Sequence, residues 1–256
     1  MFSALLRFFW IGCCAAAMLL QTLVLLDKPL DGQWPLLGFV FCTTLFGYHF
    51  ARTESWQRLL AYIAAAGSLY CLVGMPRHVI LQLPVPAIIW VMYYFAGARS
   101  LRRLPWLKPV SIAFVWAWVT VWLPLDTALW PETGLIFLGR AVFIFALALS
   151  YDLGDIPYDR LLKFPTLVQH LGEQNTFKWI GRALMAAMLV CILNYLCKIY
   201  GLWAMCALML SLVYSAWWLR FILSSTIALR WQKFWIDALM IFQFAGVVAG
   251  KMLADL

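Results

Sequence analysis

The sequence predicts an all-α, polytopic transmembrane helical bundle of about nine spans, and three observations carry that expectation. The chain is 65% hydrophobic and only 12% charged, with a mean hydropathy of +0.87, more apolar than a soluble domain of its size. Its apolar runs recur near the length of roughly 20 residues that crosses a bilayer as a helix. The period-two alternation of outer-membrane strands is absent. A net charge of +8 would point to nucleic acid in a soluble protein. In so apolar a chain it reads as charge asymmetry across a lipid bilayer, and no nucleic acid is expected as a partner.

The first run, 4–26, contains a short apolar segment, Phe8-Phe9-Trp10, between Arg7 and the Ile11-Gly12 that precedes Cys13. That is too short for the core of a cleaved lipoprotein signal, so this helix reads as an uncleaved signal anchor. Runs two and three cover 35–51 and 59–75. Only Pro76-Arg77 separates the third from the fourth, 78–97, where Pro84 and Pro86 should kink the helix. Such a break is tolerated in a bilayer where the backbone faces protein or a cavity. The fifth run is 109–125 and the sixth 135–151. Arg140 falls inside the sixth, where a charge costs roughly 2.5–3.5 kcal/mol on insertion scales. It should face a partner or cavity, or snorkel to the nearer surface.

The longest non-spanning segment follows, about 152–178. Pro157 is expected to break the helix, since Ile156 before it is biased away from helical dihedrals. A short helix would restart with Pro157 in its first turn and end at Gly172, with Asn175 or Thr176 capping the next span. Runs seven to nine are 179–197, 200–220 and 234–253, with Asn194 and Gln243 as interhelical hydrogen-bonding groups. Residues 1–256 read as a single transmembrane domain. The seven cysteines include no CxxC pair and no metal-ligand spacing with histidine, and read as small buried side chains.

With nine crossings, most lysines and arginines fall on the side of the N-terminus. The other side has only Lys28, Arg77, Lys198 and Lys251. The positive-inside bias makes the N-terminal side cytoplasmic, in the inner (plasma) membrane if the chain is bacterial.

Acidic residues cluster in one place, the stretch Ser150 to Gly172. Asp152, Asp155 and Asp159 lie at helical spacing on one face and at the cytoplasmic surface. At about 6 Å and an effective dielectric of about 20, each neighbouring pair of carboxylates repels by roughly 3 kcal/mol. The cluster needs a compensating cation, either a divalent metal or nearby Arg and Lys. The end of run two, GYHFARTESW, aligns with the end of run six, SYDLGDIPYD, setting Tyr48 against Tyr151, His49 against Asp152 and Arg52 against Asp155. This hints at an internal duplication, with one copy ending near 52–58 and the other near 152–160, one basic and aromatic and the other acidic.

The run Asp152-x-x-Asp155-x-x-x-Asp159, followed by Thr166-Leu167 and Leu171-Gly172, resembles the second aspartate-rich motif of the UbiA-type prenyltransferases. The resemblance implies a UbiA-like bundle that transfers a prenyl group from a prenyl diphosphate to an aromatic or other hydrophobic acceptor. It implies Mg²⁺ held by Asp152, Asp155 and Asp159, with Arg160 and Lys163 helping to neutralise the diphosphate. The basic loop Arg99 to Lys108, with Arg102 and Arg103, echoes the Lys and Arg that the family often places near the diphosphate. The family's first aspartate motif should fall at the end of run two, where Tyr48, His49 and Arg52 stand and no carboxylate occurs before Glu54. Two readings follow. Either Arg52 and His49 contact the diphosphate directly, in place of one of two Mg²⁺ ions, or transfer has been lost and a degenerate, non-catalytic isoprenoid- or diphosphate-lipid-binding protein remains. An ion-coupled transporter is disfavoured, because the acidic residues, Asp237 included, sit at or near the ends of spans.

Overall fold

The computed structural model describes residues 2–50, 54–95, 100–125, 130–161 and 165–254. Among them are eleven α-helices and no strand. They are α1 (Phe2–Leu25), α2 (Trp34–His49), α3 (Ser55–Leu72), α4 (Arg77–Gln82), α5 (Pro84–Phe95), α6 (Leu107–Ala117), α7 (Trp130–Leu161), α8 (Leu167–Leu171), α9 (Glu173–Leu196), α10 (Leu202–Ser224) and α11 (Leu229–Ala254). A π-helical turn, Trp118–Trp122, extends α6, and a 3₁₀ turn, Leu101–Arg103, precedes it.

Helix forms in every one of the nine apolar runs, but the count of about nine crossings is not carried over. Among the described residues, six stretches are long and apolar enough to cross a membrane: Phe8–Leu25, Arg77–Phe95, Thr133–Pro157, Glu173–Leu196, Leu202–Ser224 and Leu229–Ala254. α2 has 16 residues, and Leu107–Trp122 is likewise short. The 18 residues of α3 are diluted by Ser55, Gln57 and Arg58 in its first turn. The apolar helices make this an integral membrane protein.

Chain neighbours are spatial neighbours. α1 packs on α2 and α2 on α3; α5, α6, α7, α9, α10 and α11 each pack on the next, and α11 returns to α1. Phe46 and Phe50 of α2 meet Trp90 of α5 at ring separations of 5.7 and 4.9 Å, which brings α5 back against α2 and closes a ring. Small residues let helices approach closely. A Cβ on Gly250 of α11 would lie 2.8 Å from the Trp203 carbonyl oxygen of α10, and one on Gly12 of α1 would lie 2.8 Å from the Phe41 ring of α2.

The proline effects split. Pro84 follows a break at Leu83 that separates α4 from α5, as expected. Pro157 breaks nothing: α7 runs through it to Leu161. Losing one backbone donor is bearable where neighbours hold the helix, and Leu153 and Ile156, in the turn before Pro157, pack on the core. Gly172 does end α8, in a left-handed conformation at φ +74°. Neither Asn175 nor Thr176 caps α9, because that helix already begins at Glu173. Their side chains instead donate to the Leu171 and Gly172 carbonyls.

Arg140 does not snorkel. It is 5% exposed, and its guanidinium donates to the Met18 carbonyl at 2.7 Å, to Thr120 Oγ1 at 3.3 Å and to Thr22 Oγ1 at 3.4 Å. A cavity of about 50 Å³ beside it is lined by Gln21, Asn194, Tyr200 and Gln243. Gln21 and Gln243 bridge α1 and α11 at 3.2 Å, as expected of interhelical amides. Asn194 donates within its own helix to Val190.

Candidate functional site

Because α7 continues through Pro157, all three aspartates stand on one helix. At about 100° per residue, Asp159 lies only about 20° around the helix from Asp152, while Asp155 lies about 60° to one side. That offset divides the cluster. Lys108 Nζ, from the first turn of α6, lies 2.6 Å from Asp152 Oδ1 and 3.5 Å from Asp159 Oδ2. Lys233 Nζ, from the start of α11, lies 2.7 Å from Asp155 Oδ1 and 2.8 Å from its Oδ2. Asp152 and Asp159 are each 4% exposed, so the Lys108 pairs are shielded from water, while the Lys233 side chain is about a third exposed.

Both partners of these pairs oppose the dipoles of their own helices. The aspartates sit toward the C-terminal end of α7, where the helix favours cations, and the lysines toward the N-terminal ends of α6 and α11, where it favours anions. The mismatch is sharpest at Asp159, in the last turn of α7, and Lys108, in the first turn of α6, because the dipole's effect fades within a turn of the helix end. Conflict of that kind between local preference and global structure marks functional positions more than structural ones.

Inside the ring, the hydroxyls converge. Tyr151 donates to the Lys233 carbonyl at 3.2 Å, and the Lys233 ammonium lies 5.7 Å from the Tyr151 ring centre. The Tyr151 hydroxyl is also within hydrogen-bonding reach of Asp237, and Tyr48 is within electrostatic reach of the same carboxyl. Tyr48 accepts a hydrogen bond from Trp116 Nε1 of α6 at 3.1 Å, and Tyr94 of α5 donates to the Gly47 carbonyl at 3.3 Å. Tyr48 is 42% exposed although α1, α5, α6 and α11 all approach it. Its free surface therefore borders an open chamber.

The other expected site residues divide as follows. His49 stacks on Phe8 of α1, with ring centres 4.2 Å apart. Arg102 is half-buried and Arg103 exposed on the 3₁₀ turn, and Arg102 and Asp152 are both within electrostatic reach of Tyr93. Arg52 and Lys163 lie outside the described residues, as does the side chain of Arg160.

Lys108, Lys233, Tyr93 and Asp237 are the neighbours that sequence reasoning did not join to the cluster. Asp237 does not sit at the end of its span as expected: α11 begins at Leu229, and the side chain is 8% exposed within the bundle. The lysine signal was present, since a lysine in the first turn of an apolar helix asks for an acidic partner.

Among the described residues, no group of three His, Cys, Asp or Glu side chains converges to hold a metal ion. The Lys108 ammonium stands between Asp152 and Asp159, Asp155 is turned to Lys233, and Tyr48 and His49 bring no carboxylate from α2. This donor set does not fit a pair of Mg²⁺ ions, each of which requires hard oxygen ligands in near-octahedral array.

The sequence matches no known family model, and no curated protein matches it significantly. Its fold does have a counterpart. A solved structure of a digeranylgeranylglyceryl phosphate synthase, a UbiA-type membrane prenyltransferase, superposes with a TM-score of 0.61 over 97% of this chain and 97% of that one, at 11% sequence identity. The chain thus has a prenyltransferase-like membrane fold, shared at a level of identity that speaks for architecture alone.

Proposed function

We propose that the chain binds a prenyl diphosphate with its head at the lysine–aspartate cluster and transfers the prenyl group to a hydrophobic acceptor, aromatic or lipid. The observation that carries this reading is a dense lysine–aspartate cluster, beside which Tyr151 and Tyr48 reach the same Asp237 carboxyl, inside a fold shared with a membrane prenyltransferase. The N-terminus and the charged mouth face the cytoplasm in this reading, in keeping with the distribution of Lys and Arg.

In the reaction the allylic C–O bond breaks and its electron pair leaves with the diphosphate. Lys108, Arg102 and Arg103 stabilise that charge, at a site where fixed cations act more strongly than in water. The faces of Tyr48, Tyr94 and Trp116 stabilise the allylic cation. The acceptor's nucleophilic atom then bonds to the cation carbon, and the acceptor gives up a proton. We propose the same diphosphate-binding role for Arg160 and Lys163, at and just beyond the end of α7 in sequence, and for Arg52 and His49.

The test is diphosphate release by the purified protein, supplied with prenyl diphosphates of graded length and a membrane-lipid extract. Release that is lost in Asp152→Asn and Asp155→Asn supports transfer. A second reading rests on the Tyr48-His49 end of α2, which lacks the carboxylates expected of a transferase: a non-catalytic isoprenoid-binding protein. Prenyl diphosphate binding with no release would favour it.

A further inference from the structure

We infer that Lys108 takes the place of the metal ion at this site, so that prenyl diphosphate binds without Mg²⁺ and Asp152 and Asp159 act as positioning residues that hold the lysine. The inference rests on the prenyl-diphosphate reading above and specifies its chemistry.

The geometry is that of a cation site already filled. Two nearly buried carboxylates, about two turns apart on α7, converge on a single ammonium at 2.6 and 3.5 Å. An ammonium carries three donors. Asp152 and Asp159 take two, which leaves one N–H for a phosphate oxygen. The Lys108 side chain retains 12% exposure, and Arg102, on the 3₁₀ turn that precedes α6, shares with Asp152 an electrostatic reach to Tyr93.

Removing the lysine should produce a metal site. Without Lys108, Asp152 and Asp159 are two neighbouring buried carboxylates with no cation. One oxygen, Asp152 Oδ2, is already buried without a hydrogen-bond partner. A divalent ion bound by one or two carboxylates plus substrate phosphates is an ordinary arrangement for Mg²⁺. Lys108 therefore determines whether the pair recognises diphosphate through an ammonium or through a metal.

The experiment uses the full chain in nanodiscs of neutral lipid and farnesyl thiodiphosphate, a slowly ionising substrate analogue. Affinity is read from tryptophan fluorescence, in EDTA and in excess Mg²⁺. The native protein should bind about equally well in both. Lys108→Gln should weaken binding in EDTA by about tenfold, the loss expected for one charge-assisted contact, and Mg²⁺ should restore part of it. Lys108→Arg should stay close to native. In parallel, Mn²⁺ electron paramagnetic resonance without substrate should show a bound ion in Lys108→Gln that disappears in Lys108→Gln/Asp152→Asn and is absent from the native protein.

Native binding that requires Mg²⁺ and vanishes in EDTA overturns the inference but leaves the prenyl-diphosphate reading standing. So does a Lys108→Gln variant that binds as the native protein does in EDTA. A native protein that holds Mn²⁺ through Asp152 also overturns it. No binding of the analogue under any condition overturns the prenyl-diphosphate reading and this inference together. Thermal unfolding of each variant identifies a misfolded one, and Lys108→Arg then serves alone, with any Mg²⁺ requirement in it counting against the inference.

Discussion

The C-terminal parts of α2 and α7 come together with opposite chemistry. Each presents a tyrosine, Tyr48 or Tyr151, in reach of the single carboxyl of Asp237. Beyond the tyrosine they diverge. α2 stops at His49, and its end is held by rings: Trp116 on Tyr48, Phe8 on His49, and Trp90, Tyr94 and Phe95 around Phe50. α7 runs on to Leu161, and its end is held by Lys108 and Lys233. A ligand between the two would meet π faces on one side and fixed charge on the other. That pairing suits a molecule with an anionic head and an unsaturated hydrocarbon chain.

The largest test of this contrast is to reverse the charge at the α7 end. Lys108→Glu sets a fourth carboxylate among three, and breaking a buried pair costs about 3–5 kcal/mol. The variant should therefore unfold far earlier in a detergent thermal melt, and native-like melting would mean that the cluster carries little energy. Next comes the packing that brings α11 to α7. A Cβ on Gly154 would lie 2.7 Å from Leu229 Cδ1. Gly154→Val should cost about 1–3 kcal/mol through overpacking and loosen the Asp155–Lys233 pair with it. An unchanged melting temperature would show that Leu229 yields freely.

A smaller effect separates the two tyrosines. Tyr151→Phe removes the donor to the Lys233 carbonyl, at a cost of about 1 kcal/mol, whereas Tyr48→Phe removes the acceptor for Trp116 Nε1. Paired melts should show Tyr151→Phe as the less stable, and the reverse order would shift the weight of the chamber to α2. The smallest effect is at Lys233, whose pair with Asp155 is partly in water. Lys233→Ala should cost below about 1 kcal/mol and fade with added salt. A loss as large as that at Lys108 would erase the distinction between the two lysines.

Much of this architecture could be read from local pattern. Apolar runs mark the helices, Pro84 the α4–α5 break and Gly172 the end of α8. Pro157 misled because its rule is local, while the turn of α7 before it is held by packing on the core. The aspartates were legible as a cluster that needed a cation, but their partners were not. Lys108 is 51 residues from Asp159, and Lys233 is 78 residues from Asp155. Only the ring of helices brings those positions together. The count of about nine spans is not confirmed: among the described residues α2 and Leu107–Trp122 are short for a crossing, and α3 opens on polar residues.

The buried guanidinium of Arg140 bears on how the chain is made. Each oxygen that it binds belongs to a residue earlier in the chain: Met18 and Thr22 on α1, and Thr120 in the π-helical turn after α6. A ribosome has therefore delivered all of these acceptors to the membrane before α7 emerges. The charge, which alone would oppose insertion by roughly 2.5–3.5 kcal/mol, arrives where its partners already wait. Synthesis order and tertiary structure agree at that point, and a permuted chain in which α7 preceded α1 would have to insert the arginine unaccompanied.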